Sequence, residues 1–116
     1  TAYEMLRSLV GSEMCIRDRR KQDVVCRYGG EEFSVIMPVT GKADAGRVMD
    51  RIRSNMEQTA FTMQPAGITF HVRISAGVAE FPSDARQEAD LVNLADQALY
   101  RAKNKGRNQV VVYSPE

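Results

Sequence analysis

The stretch Asp23-Val24-Val25-Cys26-Arg27-Tyr28-Gly29-Gly30-Glu31-Glu32-Phe33-Ser34-Val35-Ile36-Met37 decides how this chain folds. Residues 23–28 are rich in Val, Cys and Tyr, a composition that suits a short strand. Gly29-Gly30 tolerates positive φ at both positions, the chemistry of a tight hairpin turn. Residues 31–37 are the returning strand, stopped by Pro38. The sequence therefore predicts a β-hairpin closed at Gly29-Gly30.

C-terminal to the hairpin, Thr40 is placed to cap a helix over 42–57. Ala45, Val48, Met49, Ile52 and Met56 recur there at spacings of three and four and make one buried stripe. Over 68–79, Ile68, Phe70, Val72, Ile74, Ala76 and Val78 alternate with Thr69, His71, Arg73, Ser75 and Gly77. That is the period of a half-buried strand, long enough to be central. A second helix is predicted over 88–105, with Leu91, Leu94, Ala95, Ala98, Leu99 and Ala102 as its apolar stripe. Gly106 suits the position just past its end, and Lys103 and Lys105 suit its last turn. Residues 109–113 read as a final strand. The expected class is α+β, a mainly antiparallel sheet with helices on one face. Residues 1–20, by contrast, carry no clean period.

Composition narrows the function. The 116 residues carry a net charge of +1, without the basic excess of a general nucleic-acid binder. The longest apolar run, near 35–39, is far too short to span a membrane, and no secretion signal is visible. Cys15 and Cys26 form no C-x-x-C, and His71 stands at no metal-ligand spacing from either. They read as free thiols in a reducing cytoplasm.

Three clusters carry chemistry. Glu31 and Glu32 follow the glycines at the hairpin tip. Neighbours in a strand point to opposite faces, so one can face a ligand or divalent cation while the other faces away. Charges at a hairpin tip are otherwise simply solvated. Arg101, Lys103, Lys105 and Arg107 crowd seven residues that contain no acid. The helix dipole favours such cations, and phosphate binding is the alternative. Arg20 and Asp23 form R-x-x-D, which by itself reads as a surface ion pair worth under about 1 kcal/mol.

Arg27-Tyr28-Gly29-Gly30-Glu31-Glu32-Phe33 resembles the signature of the diguanylate cyclase catalytic domain, the GGDEF family, in its Gly-Gly-Glu-Glu-Phe form. Three further stretches resemble the same family in the same order: Ser75-Ala76-Gly77-Val78-Ala79, Ala95-Asp96-Gln97-Ala98-Leu99-Tyr100, and Ala102-Lys103-Asn104-Lys105-Gly106-Arg107-Asn108. The resemblance implies a ferredoxin-like palm of the nucleotidyl-cyclase type. It implies condensation of two GTP into cyclic di-GMP and pyrophosphate, with Mg²⁺ or Mn²⁺ and a homodimer. Glu31 would ligate the metal and share in deprotonating the attacking 3′-hydroxyl, and Glu32 is the second acid of the motif. Gly29 and Gly30 would leave room for substrate, and Lys103 and Arg107 would grip its β- and γ-phosphates. Arg20 and Asp23, separated by five residues from Gly29, correspond to the product-inhibition site for cyclic di-GMP, with Arg51 as a further contact.

The family's first central strand, with its metal-binding aspartate, has no counterpart here. The acids before Asp23 are Glu4, Glu13 and Asp18, in no such context. The expected organisation is a non-native or irregular leader over 1–19, followed by the C-terminal part of the domain over 20–116. The string Ser8-Leu9-Val10-Gly11-Ser12-Glu13-Met14-Cys15-Ile16-Arg17-Asp18-Arg19 resembles translated adaptor sequence. The expected location is cytoplasmic, in a parent anchored to a membrane or not. The competing readings are a module that only binds cyclic di-GMP and an inactive fragment.

Overall fold

The computed structural model describes residues 22–29 and 32–115. The elements run β1 (Val24–Gly29), β2 (Glu32–Ile36), α1 (Lys42–Gln58), β3 (Phe61–Met63), β4 (Ile68–Phe70), β5 (Ala76–Val78), α2 (Glu88–Asn104) and β6 (Val110–Val112). The class is α+β. Strands pair two by two: β1 with β2 and β3 with β4 antiparallel, and β5 with β6 parallel.

The hairpin forms at the predicted place. Val24 pairs with Ile36 and Gly29 with Glu32, and the register shifts between Arg27 and Gly29. Tyr28 is thus the extra residue of a bulge beside the turn. Among the described residues β2 has β1 as its only ladder partner. Val24 and Ile36 face each other across the pair at 49% and 58% exposure. An apolar cross-strand pair this exposed leaves backbone and side chains of the hairpin open to a further partner.

The single strand expected over 68–79 is corrected. It divides into β4 and β5, and β3 was not foreseen. The alternation over 71–75 survives as burial: Val72 is buried while His71 and Arg73 are exposed. A period of two reports which side faces the core and says nothing about whether a neighbouring strand is present to pair. Instead Phe61 and Phe70 pair across the β3–β4 hairpin, their rings stacked with centroids 5.8 Å apart. They pack with Val48 and Ile74 around the buried Ile52, Met56 and Val72. Burying each of the larger side chains contributes about 1.5–3 kcal/mol.

Both helices pack on the β5–β6 pair. A Cβ at Gly77 would meet the α2 backbone at Ala95 and Leu99, and one at Gly46 in α1 would meet the Val112 side chain. Gly77 pairs with Val111, so Val112 points to the other face. The two helices thus meet this pair through neighbouring positions of its short strands.

Thr40 does not cap α1, a second correction. Its hydroxyl donates to the Pro38 carbonyl at 2.8 Å, and the N-cap is Gly41. A distant carboxylate does the work: the Lys42 N–H donates to Glu80 Oε1 at 2.8 Å, where the helix dipole also favours an anion. Ser83 donates to the other Glu80 oxygen. Lys42 Nζ ties the same corner to Asp84 at 2.8 Å and to the Tyr113 carbonyl at 3.1 Å.

The hydrogen bond from Ser83, then that from Lys42, hold the Glu80 carboxyl below its ordinary value of 4.5. A depressed carboxyl stabilises the fold fully above its unfolded pKa, and that contribution disappears as pH falls through the folded one. Thermal melts from pH 6 down to pH 3 will therefore show a steeper acid loss in the natural chain than in Glu80→Gln. Parallel acid limbs would remove Glu80 from the cap.

Candidate functional site

The C-terminal end of α2 is closed by backbone geometry. Gly106 (φ +116°) follows the C-cap Lys105, its N–H directed to the Lys103 carbonyl at 3.4 Å, and the Arg107 N–H donates to the Ala102 carbonyl at 3.0 Å. This is a Schellman stop with glycine where the left-handed residue is needed. The chain then stays left-handed for two more residues, Arg107 (φ 63°) and Asn108 (φ 49°). For residues with a Cβ that conformation costs roughly 1–2 kcal/mol each, less for asparagine.

The four cations sort themselves at this stop. Arg101 donates to the Ser114 carbonyl at 3.1 Å and is engaged in holding the C-terminal segment. Lys103, Lys105 and Arg107 are exposed, and none of them makes an ion pair among the described residues. Three cationic side chains around one helix end, facing water, are competent to hold a polyanion, and the family resemblance singles out Lys103 and Arg107 among them.

Asn108 is tied down at three atoms. Its N–H donates to Ser75 Oγ at 3.1 Å, Arg53 donates to its Oδ1 at 3.3 Å, and its Nδ2 donates to Glu57. Glu57 also faces Arg53 at 3.8 Å and Arg73 at 3.6 Å. Arg53 in turn bonds Asp50 at 2.7 Å, and this carboxylate holds its guanidinium above the ordinary arginine value against the opposing effect of burial. Sequence reading missed this cluster. The Arg53–Glu57 spacing of four was visible, but nothing local links 57 to 108.

The other expected site residues are distributed as follows. Gly29 ends β1, paired with Glu32, and the Glu32 side chain is exposed. Gly30 and Glu31 lie outside the described residues, as does Arg20. Asp23 is 1% exposed and engaged with another group, and Arg51 is exposed and likewise engaged. Lys103 lies in the last turn of α2 and Arg107 just past its end, both exposed. The main packing partners of α2 are β5 and β6, not the hairpin. Among the described residues no three acidic, His or Cys side chains converge on a point that could hold a metal ion. Glu32 alone is not a metal site, so the described residues do not make up the ligand set the resemblance implies. The leader boundary at 19 and 20 also lies outside the described residues.

A family model described as the diguanylate cyclase GGDEF domain matches residues 13–109. The chain belongs to the GGDEF family. The response regulator PleD of Caulobacter vibrioides is 44% identical over 92 residues, which are 79% of this chain and 20% of PleD. Among solved structures, the GGDEF domain of PA1120 (YfiN or TpbB) from Pseudomonas aeruginosa superposes with a TM-score of 0.85 at 29% identity. That match covers 93% of this chain and 66% of that one. The active GGEEF domain of a Vibrio cholerae diguanylate cyclase matches with a TM-score of 0.81 at 26% identity, over 96% of this chain and 69% of that one. The GGDEF chain thus spans about a fifth of PleD and about two thirds of the solved domains. Its matched region takes in both the Gly-Gly hairpin and the α2 stop. No helix among its described residues is long and apolar enough to cross a membrane.

Proposed function

We propose that this chain is the C-terminal part of a cytoplasmic diguanylate cyclase domain whose parent condenses two GTP into cyclic di-GMP and pyrophosphate as a homodimer. The carrying observation is that Lys103 and Arg107, at a glycine-stopped helix end, are exposed and without an ion pair among the described residues, in a chain of this family. Lysine acts there as a point charge and arginine as a planar fork on the β- and γ-phosphates. Gly29 and Gly30 leave the backbone open to the nucleotide beside Glu31 and Glu32. A divalent cation such as Mg²⁺ or Mn²⁺, held by Glu31 together with acids supplied from elsewhere in the parent, would neutralise phosphate charge and polarise the reacting hydroxyl. Arg20, Asp23 and Arg51 form the proposed inhibitory site for the product. Asp23 is buried in the fold as it stands, so an inhibitor that meets it must first expose it.

Calorimetric titration of the chain tests both halves of the reading. GTP affinity will fall about 10–100-fold in Lys103→Ala and in Arg107→Ala, the loss expected from one charge-assisted hydrogen bond. Cyclic di-GMP affinity will fall by a similar factor in Arg20→Ala and will ignore the two α2 variants. GTP binding that is indifferent to both α2 substitutions removes the phosphate grip. Cyclic di-GMP binding that is indifferent to Arg20→Ala removes the inhibitory site. Nucleotide binding of the second kind alone would favour the pure receptor.

A further inference from the structure

The Schellman stop needs one left-handed residue, and Gly106 supplies it at no steric cost. Arg107 and Asn108 continue the left-handed conformation where the helix end does not require it. Asparagine adopts that region with comparative ease, and arginine does not. Backbone strain of this kind persists only where the surroundings over-determine it, and it collects at functional positions. Here the surroundings hold the segment from two sides. On one side the Arg107 N–H is fixed to Ala102 in α2. On the other, Asn108 is held at its backbone by Ser75 and at both ends of its amide by Arg53 and Glu57 of α1. Glu57 is itself braced by Arg53 and Arg73. The Arg107 side chain is exposed between these two anchors and makes no ion pair among the described residues.

We infer that Asn108, backed by Glu57, is a positioning residue that aims the Arg107 guanidinium at an oligophosphate. The inference rests on the reading of Lys103 and Arg107 as the phosphate grip, and adds how the grip is held open. A planar fork binds a phosphate well only when its direction is set, and a side chain already aimed gives up less freedom on binding. The fixing contacts come from α1 and from the segment before β5, so two other parts of the fold hold a loop of the α2 end. Lys103 lies within the helix and needs no such support.

The test is a double-mutant cycle on the 116-residue chain with inorganic tripolyphosphate as the probe, read by calorimetry at a temperature where each variant is folded. Asn108→Ala will weaken binding about tenfold in the natural background and have almost no effect in an Arg107→Ala background. It will keep its full effect in a Lys103→Ala background. A merely structural role for Asn108 would lower the melting temperature without that selectivity. Should Asn108→Ala fail to fold, Glu57→Ala takes its place in the same cycle with the same expected pattern. If Arg107→Ala weakens binding and the Asn108 effect persists undiminished beside it, the positioning role is overturned while the phosphate grip stands. If tripolyphosphate does not bind, or binds regardless of Lys103 and Arg107, the grip itself is overturned and the positioning role with it.

Discussion

Gly77→Ala will lower the stability of this chain by about 3 kcal/mol or more, the upper end of the usual cost of overpacking. A Cβ built at Gly77 lies 2.2 Å from the Ala95 carbonyl oxygen and 2.3 Å from the Leu99 nitrogen, where real contacts almost never come under 3.0 Å. Both obstacles are backbone atoms of α2, so no side chain can rotate away. The helix itself must lift from β5, and with it the buried Ala98 and Ala102. For a domain of this size the melting temperature should fall by more than about 10 °C. Gly46→Ala is the matched control. Its Cβ would lie 2.9 Å from a Val112 methyl, a milder conflict, and replacing a helix-interior glycine by alanine returns up to about 1 kcal/mol of propensity. The two effects oppose each other at 46, and the net change there should be small. A Gly77→Ala melt within a few degrees of the natural chain would mean that α2 does not rest on β5 at this distance.

That contact explains what sequence reading could and could not see. The apolar stripes of α1 and α2 were legible because a helix repeats its buried face every three to four residues, and Ile52, Met56, Ala98 and Ala102 are fully buried as read. The hairpin was legible because two glycines between β-forming runs leave few alternatives. Gly106 was legible as a helix stop for the same local reason. The break between β4 and β5 was not. Alternation over 68–79 encodes facing, while pairing depends on what lies alongside, and that is a non-local fact. The capping of α1 by Glu80 was likewise hidden. Thr40 has the right chemistry at the right spacing, and a carboxylate 38 residues on from Lys42 displaced it. The Arg53–Glu57–Asn108 cluster joins residues up to 55 positions apart. Of the proposed site, therefore, the residue types offered to a ligand were legible through the resemblance to a family motif, while the contacts that hold the segment after α2 in place were not.

The chemistry expected of the hairpin gives the other large effect. The 116-residue chain, incubated with GTP and Mg²⁺, will form no cyclic di-GMP above background. Metal-assisted phosphoryl transfer needs acidic ligands that converge from more than one element. Here the acids before Asp23 are Glu4, Glu13 and Asp18, and no metal-holding cluster forms among the described residues. In a protein that carries this sequence behind the family's aspartate-bearing first strand, synthesis should appear, and Glu31→Gln should then lower it by about 10²–10³-fold or more, the usual loss when a group that stabilises transition-state charge is removed. Glutamine keeps the length and the hydrogen-bonding oxygen of glutamate and removes only the charge. A loss of rate with an unchanged melting temperature therefore assigns the effect to chemistry. Glu32→Gln separates the two acids: a smaller loss is expected, because Glu32 lies on the exposed face of β2 with Ser34 and Ile36. Product formed by the 116-residue chain itself would show that its own acids complete the site. Full activity in Glu31→Gln would leave that residue as no more than a solvated charge at a hairpin tip.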